Sequence, residues 1–232
     1  MDLFTNGCGL SAVVFFPLIS AFVITLIPKA QAQLIKRFAL ASSLITFVLS
    51  AILLFQFDFS SAEKLQLGNK ISWIKSINAN YEIGIDGISL PLLVLSTFIT
   101  VLAIIYSLEH LPEPKSPKGF LALILVLETG MNGTFVALDL ILFFVFFEIV
   151  LLPMYFMIGI WGDKTVRTVS GFKNQIETRL YASIKFFVFT LFGSAFMLLG
   201  FLGLYYRGNK TFSIPELIEL GTSGAFTAVS YT

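Results

Sequence analysis

"LFFVFFEIVLLPMYF", residues 142–156, holds a single charged side chain, Glu148, among phenylalanines, valines, isoleucines and leucines. The stretch reads as the middle of a membrane-spanning helix. A charge at that depth costs about 2.5–3.5 kcal/mol on insertion scales, and such groups usually face a bundle interior and serve a substrate, ion or proton path. Tyr155 lies seven residues on and shares the helical face of Glu148.

The whole chain supports a membrane reading. Of 232 residues, 56% are hydrophobic and 12% charged, and the mean hydropathy is +0.89. Soluble domains carry about 25% charged residues. A span needs about 20 mostly apolar residues, and six segments qualify: 10–27, 38–57, 88–108, 120–138, 140–160 and 184–206. The apolar run 120–160 is too long for one span and breaks at "ALDL", around Asp139. The segment 58–87 is polar and mixed and is expected as a loop packed on the outer face. Trp73 and Tyr81 there suit an interfacial belt, and Gly84 and Gly87 permit a turn into the third helix. "TFSIPELIEL", 211–220, reads as a short amphipathic helix. No Lys or Arg precedes the first apolar run, so that run is expected as a retained helix, not a cleaved signal.

Lys and Arg in the connections set orientation. The first, third and fifth connections carry nine, and the opposite side carries five. The expected topology places the N-terminus outside.

Several functions are excluded or left to partners. Cys8 is the only cysteine, so the chain can build neither an internal disulfide nor a Cys-clustered metal or iron–sulfur site. His110 is the only histidine and is expected at a solvated helix end. No G-x-G-x-x-G or G-x-x-x-x-G-K-[ST] occurs, and no block of like charge suggests nucleic acid. No cofactor and no metal is expected on this chain, and any redox chemistry belongs to partners.

Three ionisable residues fall within the spans: Glu128, Glu148 and Lys185. Burial favours the protonated form of a carboxyl and a nearby cation favours the ionised form. A buried Glu near a Lys can therefore act as a proton relay, or the two can form a static pair between helices. Glu148 and Lys185 are the leading proton-transfer candidates, and Glu128, Asn132 and Tyr155 are weaker ones. Lys185 could instead snorkel to the nearby surface. Asn132 is one turn from Glu128, and their shared face either lines a polar interior or makes interhelical hydrogen bonds. Pro153 removes a donor and serves either a packing bend or a hinge. Asp86 is expected to cap or orient the start of the third helix.

"IGIDGISLPLLVLSTFIT", "GTFVALDLILFFVFFEIVLLPMYFMIGIWG" and "RLYASIKFFVFTLFGSAFMLLG" together resemble subunit M (chain 4) of the type 1 NADH–quinone oxidoreductase, respiratory complex I, a family similar to Mrp-type antiporter subunits. The resemblance covers residues 10–206. It implies an all-α integral membrane protein of about six transmembrane helices, a truncated part of a fourteen-helix antiporter-like subunit. Residues 1–119 would hold the first three helices, 120–206 three helices of an incomplete five-helix repeat, and 207–232 a polar connection. The implied function is proton translocation in the membrane arm, coupled to quinone reduction. NADH, quinone, flavin and iron–sulfur clusters would lie on partner subunits, and the chain's own partners would be other membrane-arm subunits, the lipid bilayer and protons. Glu148 matches the family's key glutamate and Lys185 the lysine of its "A-x-x-K-F" stretch, while Asp86 and Gly87 match a structural "DG". The family's main lysine partner for Glu148 lies on a seventh helix, beyond this sequence. Residues 165–177 look like an insertion. The alternatives are an Mrp-type cation/proton antiporter subunit and a truncated, non-pumping assembly fragment. A bacterial inner membrane is the expected location.

Overall fold

A computed structural model of the chain describes residues 7–61, 64–112, 114, 116–167 and 176–224. Lys115 and Lys173, residues 168–175 of the expected insertion and residues 225–232 of the polar connection lie outside the described residues. Among the described residues, six helices are long and apolar enough to cross a membrane: α1 (Cys8–Leu26), α2 (Ala32–Gln56), α3 (Ser89–Glu109), α4 (Pro117–Val136), α5 (Leu140–Trp161) and α6 (Thr178–Arg207). A short α7 (Ile214–Thr222) follows, as the amphipathic pattern predicts. The expected all-α membrane architecture is borne out. α1 to α4 form an antiparallel bundle, α5 packs on α4, and α6 packs on α5.

The ends of α2 and α6 extend past the apolar runs because polar residues there have jobs at one end of the bundle. Lys36, in the second turn of α2, donates to the carbonyl of Leu108 at the end of α3. Lys118 donates to the carbonyl of Ile27 after α1 at 2.7 Å. Arg179, at the start of α6, donates to the carbonyl of Ile160 at the end of α5 at 2.7 Å. The last carbonyls of a helix lack internal donors and carry partial negative charge. A cation from the neighbouring helix answers both needs at all three ends.

At the other end, the expected loop is partly strand. β1 (Gln66–Ile74) and β2 (Ala79–Ile85) form an antiparallel hairpin, with Lys70 opposite Glu82 and Ile71 opposite Tyr81. β2 is almost wholly buried because it lies against the α4–α5 turn: Leu138 donates to the Glu82 carbonyl at 2.8 Å. Gly84 therefore sits within β2, where a Cβ would come 2.7 Å from the Leu138 side chain, and not in the turn into α3. Gly87 is in that turn. Tyr81 bonds Ser11 of α1 at 2.9 Å, and Trp73 is half-exposed. Asp86 caps α3 reciprocally: its Oδ1 accepts from the N–H groups of Ile88 and Ser89, and the Ser89 hydroxyl accepts from the Asp86 N–H.

Asp139 holds this end together. Its Oδ1 accepts from the backbone of Ile141 and Leu142, capping α5, and its Oδ2 accepts from the Asn80 N–H of β2 at 2.9 Å. The backbone on either side bonds the α6–α7 connection: Leu140 donates to Phe212, and Ile214 donates to Leu138. Lys70 adds ion pairs to Glu82 at 3.1 Å and to Glu216 of α7 at 2.7 Å.

Replacing Asp139 by Ala removes a cap and orphans the Asn80 amide, an expected loss of about 2–4 kcal/mol. Thermal denaturation of the detergent-solubilised full-length protein measures it, and Asp139→Asn should keep most of the stability. The Lys70 ammonium and the Thr211 hydroxyl hold Glu216 below its ordinary range. A lowered carboxylate contributes stability above its unfolded pKa and loses it as pH falls through the folded value. Amide exchange in α7 should therefore rise only in acid, below the usual glutamate range, and Lys70→Met should raise it already at neutral pH.

Candidate functional site

α5 is apolar on nearly every side, so one carboxylate on it stands out. Glu148 sits at mid-helix, partly buried, and its Oε1 is fully covered and accepts no hydrogen bond among the described residues. α5 continues through Pro153, which has no N–H for the carbonyl of Ile149, one residue from Glu148. Leu152, one turn from Glu148, and Phe147 beside it are both exposed. The flank of α5 next to Glu148 is thus bare. α6 is barer still, with only Ser183 and Ser194 buried.

The register between α5 and α6 places the other candidates. Tyr155 packs on Phe187, Phe143 on Phe201, and Gly159 faces Ser183. Continuing that register puts Ser194 at the level of Glu148 and Lys185 beside Ile158. Roughly 15 Å of helix therefore separates Lys185 from Glu148 at 1.5 Å per residue. Lys185 is exposed, with its ammonium 5.6 Å from the centroid of the Tyr181 ring, toward the basic end. The expected pairing of Glu148 with Lys185 is not made in this arrangement; Lys185 has the placement of a snorkelling lysine. Tyr155 does lie on the Glu148 flank of α5, against α6. Ser194 was missed in the sequence, where a serine in an apolar helix offers no sign of which face it occupies.

Glu128 and Asn132 belong elsewhere. α4 meets α5 along Gly130 and Gly133, where a Cβ would come within 2.6 Å of Val150 and 2.2 Å of the Phe146 ring. Small residues let membrane helices approach this closely. Two residues of helix turn Glu128 about 200° away from Gly130, into the α1–α4 bundle. It is 0% exposed, and neither carboxyl oxygen has a hydrogen-bond partner among the described residues. Asn132 accepts from Ser96 of α3 at 3.3 Å and donates to the Val13 carbonyl of α1 at 3.5 Å. Pro17, four residues after Val13, has no N–H to offer that carbonyl. On this shared face Asn132 makes interhelical hydrogen bonds, while Glu128 is buried with no partner among the described residues.

His110 stacks on Tyr106 at the exposed end of α3, and Cys8 is exposed at the start of α1. Among the described residues, no group of three His, Cys, Asp or Glu could hold a metal ion.

Comparison with known proteins agrees with this architecture. Residues 13–134 match the family described as NADH-ubiquinone oxidoreductase chain 4, amino terminus, and residues 137–230 match the transmembrane family NADH:quinone oxidoreductase/Mrp antiporter. The chain is 37% identical over 210 residues to NAD(P)H-quinone oxidoreductase chain 4 1 of Picosynechococcus, covering 90% of this chain and 36% of the relative. It is 36% identical over 213 residues to the F(420)H(2) dehydrogenase subunit M of Methanosarcina mazei, covering 90% of this chain and 39% of that protein. A chain of respiratory complex I from Thermus thermophilus shares the fold, with a TM-score of 0.70 at 23% identity over 90% of this chain and 39% of that one. The sequence therefore spans somewhat over a third of the length of these relatives. The two family matches together cover the chain from its first helix to its last, and the chain belongs to the NADH-ubiquinone oxidoreductase chain 4 family, whose members include antiporter-like membrane subunits.

Proposed function

We propose that the chain is part of a proton-translocating membrane-arm subunit of an NADH–quinone oxidoreductase, with Glu148 as the group that takes up and releases the proton. The observation that carries this reading is the carboxylate itself: mid-span, with one oxygen covered and without a partner among the described residues, beside a flank of α5 left bare. The greater length of the relatives supports a partner for Glu148 on a further helix. Tyr155 extends the polar path toward the basic end, and Lys185 acts near that surface as a secondary proton-transfer group. Residues 120–206 begin the repeat that holds the path, 1–119 support it, and 207–232 connect onward.

Redox centres, flavin and quinone sit on partner subunits, and the chain itself carries none. The hairpin end faces outward and the ends of α1, α3 and α5 that Lys118, Lys36 and Arg179 cap face inward, in a bacterial inner membrane. Protonation of Glu148 responds to charge movement in neighbouring subunits, because Coulomb coupling is strong at low dielectric. The description of the second matching family also names Mrp antiporters, which favours a cation/proton antiporter subunit as the second reading. Proton uptake driven by a sodium gradient, with no quinone reductant present, would select that one.

In the full-length protein within its complex, Glu148→Gln should lower quinone-coupled proton pumping at least tenfold while native gels show the complex intact. Pumping at the wild-type rate would remove Glu148 from the path. Lys185→Ala should cost only a few-fold in the same assay, as expected of a lysine near the surface.

A further inference from the structure

Within the spans, a carboxyl on α4, Glu128, sits in surroundings chemically distinct from those of Glu148. The interior of the α1–α4 bundle is layered. An apolar cluster at the hairpin end includes Val13, Leu53, Leu93 and Val136, and another at the basic end includes Ile24, Ile35, Ile104 and Leu121. Between them lies a layer of buried hydroxyls with Glu128 at its centre. The antiparallel register set by the Asn132–Ser96 and Ser50–Thr97 contacts places Thr100 of α3 and Thr46 of α2 at the level of Glu128.

The direction of the hydrogen bonds in this layer matters. Thr46, Thr100 and Thr129 each donate to a carbonyl one turn back in their own helix: Ser42, Ser96 and Leu125. Their protons are spent, so they offer lone pairs only. An ionised carboxylate is an acceptor and finds no donor in these three threonines, whereas a protonated one has an O–H to give. The Ser42 hydroxyl, one turn from Thr46, is likewise buried and unpartnered among the described residues. Among the described residues, no Lys, Arg, His, Asp or Glu is buried along α1, α2 or α3, and Glu148 lies on the far side of the Gly130–Gly133 seam. Burying an isolated carboxylate without partners is prohibitive, and such a group neutralises instead.

We propose that Glu128 is a second proton-binding site, closed off from Glu148. It holds its proton as a carboxylic acid and donates to the hydroxyl layer. Binding forms the O–H bond on one Glu128 oxygen at the expense of a hydronium ion, leaving water.

The test is infrared spectroscopy of the full-length protein in its membrane complex at neutral pH, with substitutions read as difference spectra. The expected result is a protonated-carboxyl C=O band that shifts in D₂O, disappears in Glu128→Gln and persists in Glu148→Gln. If Glu128→Gln leaves that region unchanged, or if the band vanishes only in Glu148→Gln, the proposal is overturned. A band that never shifts in D₂O overturns it as well, since the proton would not exchange. Should Glu128→Gln not accumulate in the membrane, Glu128→Asp should move the band without removing it. Pumping by the Glu148 variant reads a different site, so failure of one result leaves the other standing.

Discussion

Backbone polar groups inside a bilayer must be satisfied by the protein, because the hydrocarbon core offers no water. That requirement organises both ends of this molecule. At one end, Lys36, Lys118 and Arg179 reach across to the terminal carbonyls of α3, α1 and α5. At the other, Asp139 caps α5 while its second oxygen takes the Asn80 N–H, and the chain on either side of it bonds both β2 and the α6–α7 connection. With the ends fixed in this way, the interior can tolerate polar groups. Asn132 is the clearest case: it reaches the carbonyl that Pro17 leaves without a donor.

α4 divides the polar chemistry in two. Its glycine edge meets α5 closely, and its polar face looks into the first bundle. Glu128 and Glu148 are therefore on neighbouring helices yet in different surroundings. Glu128 is enclosed by hydroxyls and sealed between two apolar layers. Glu148 lies beside a bare flank, open to a further element. An enclosed carboxyl suits holding a proton, and a carboxyl at an unfilled boundary suits exchanging one with a partner that moves.

Much of this was legible in the sequence, for identifiable reasons. The spans follow from unbroken apolar runs, and Glu148 was visible because nothing around it is polar. Asp86 announced a helix start by residue type, and the excess length of the apolar run 120–160 announced the break at Asp139. Other features depend on neighbours far along the chain. The start of α2 was hidden because Lys36 and Arg37 interrupt the apolar run, although Lys36 is needed by α3. The hairpin was hidden because β2 is covered by the α4–α5 turn, which also misplaced Gly84 in the reading. The pairing of Glu148 with Lys185 looked reasonable from composition, but the α5–α6 register set by Tyr155 and Phe187 separates them. The side of α4 that Glu128 occupies follows from helical periodicity once Gly130 and Gly133 are known to face α5.

The central claim is that Glu148 changes its protonation during turnover. Time-resolved infrared difference spectroscopy of the complex, triggered by adding quinone to the reduced enzyme, reads that change directly. The account predicts a carboxyl band that appears and decays with turnover and is absent in Glu148→Gln. A spectrum in which the wild type and Glu148→Gln show the same carboxyl changes throughout turnover would contradict it.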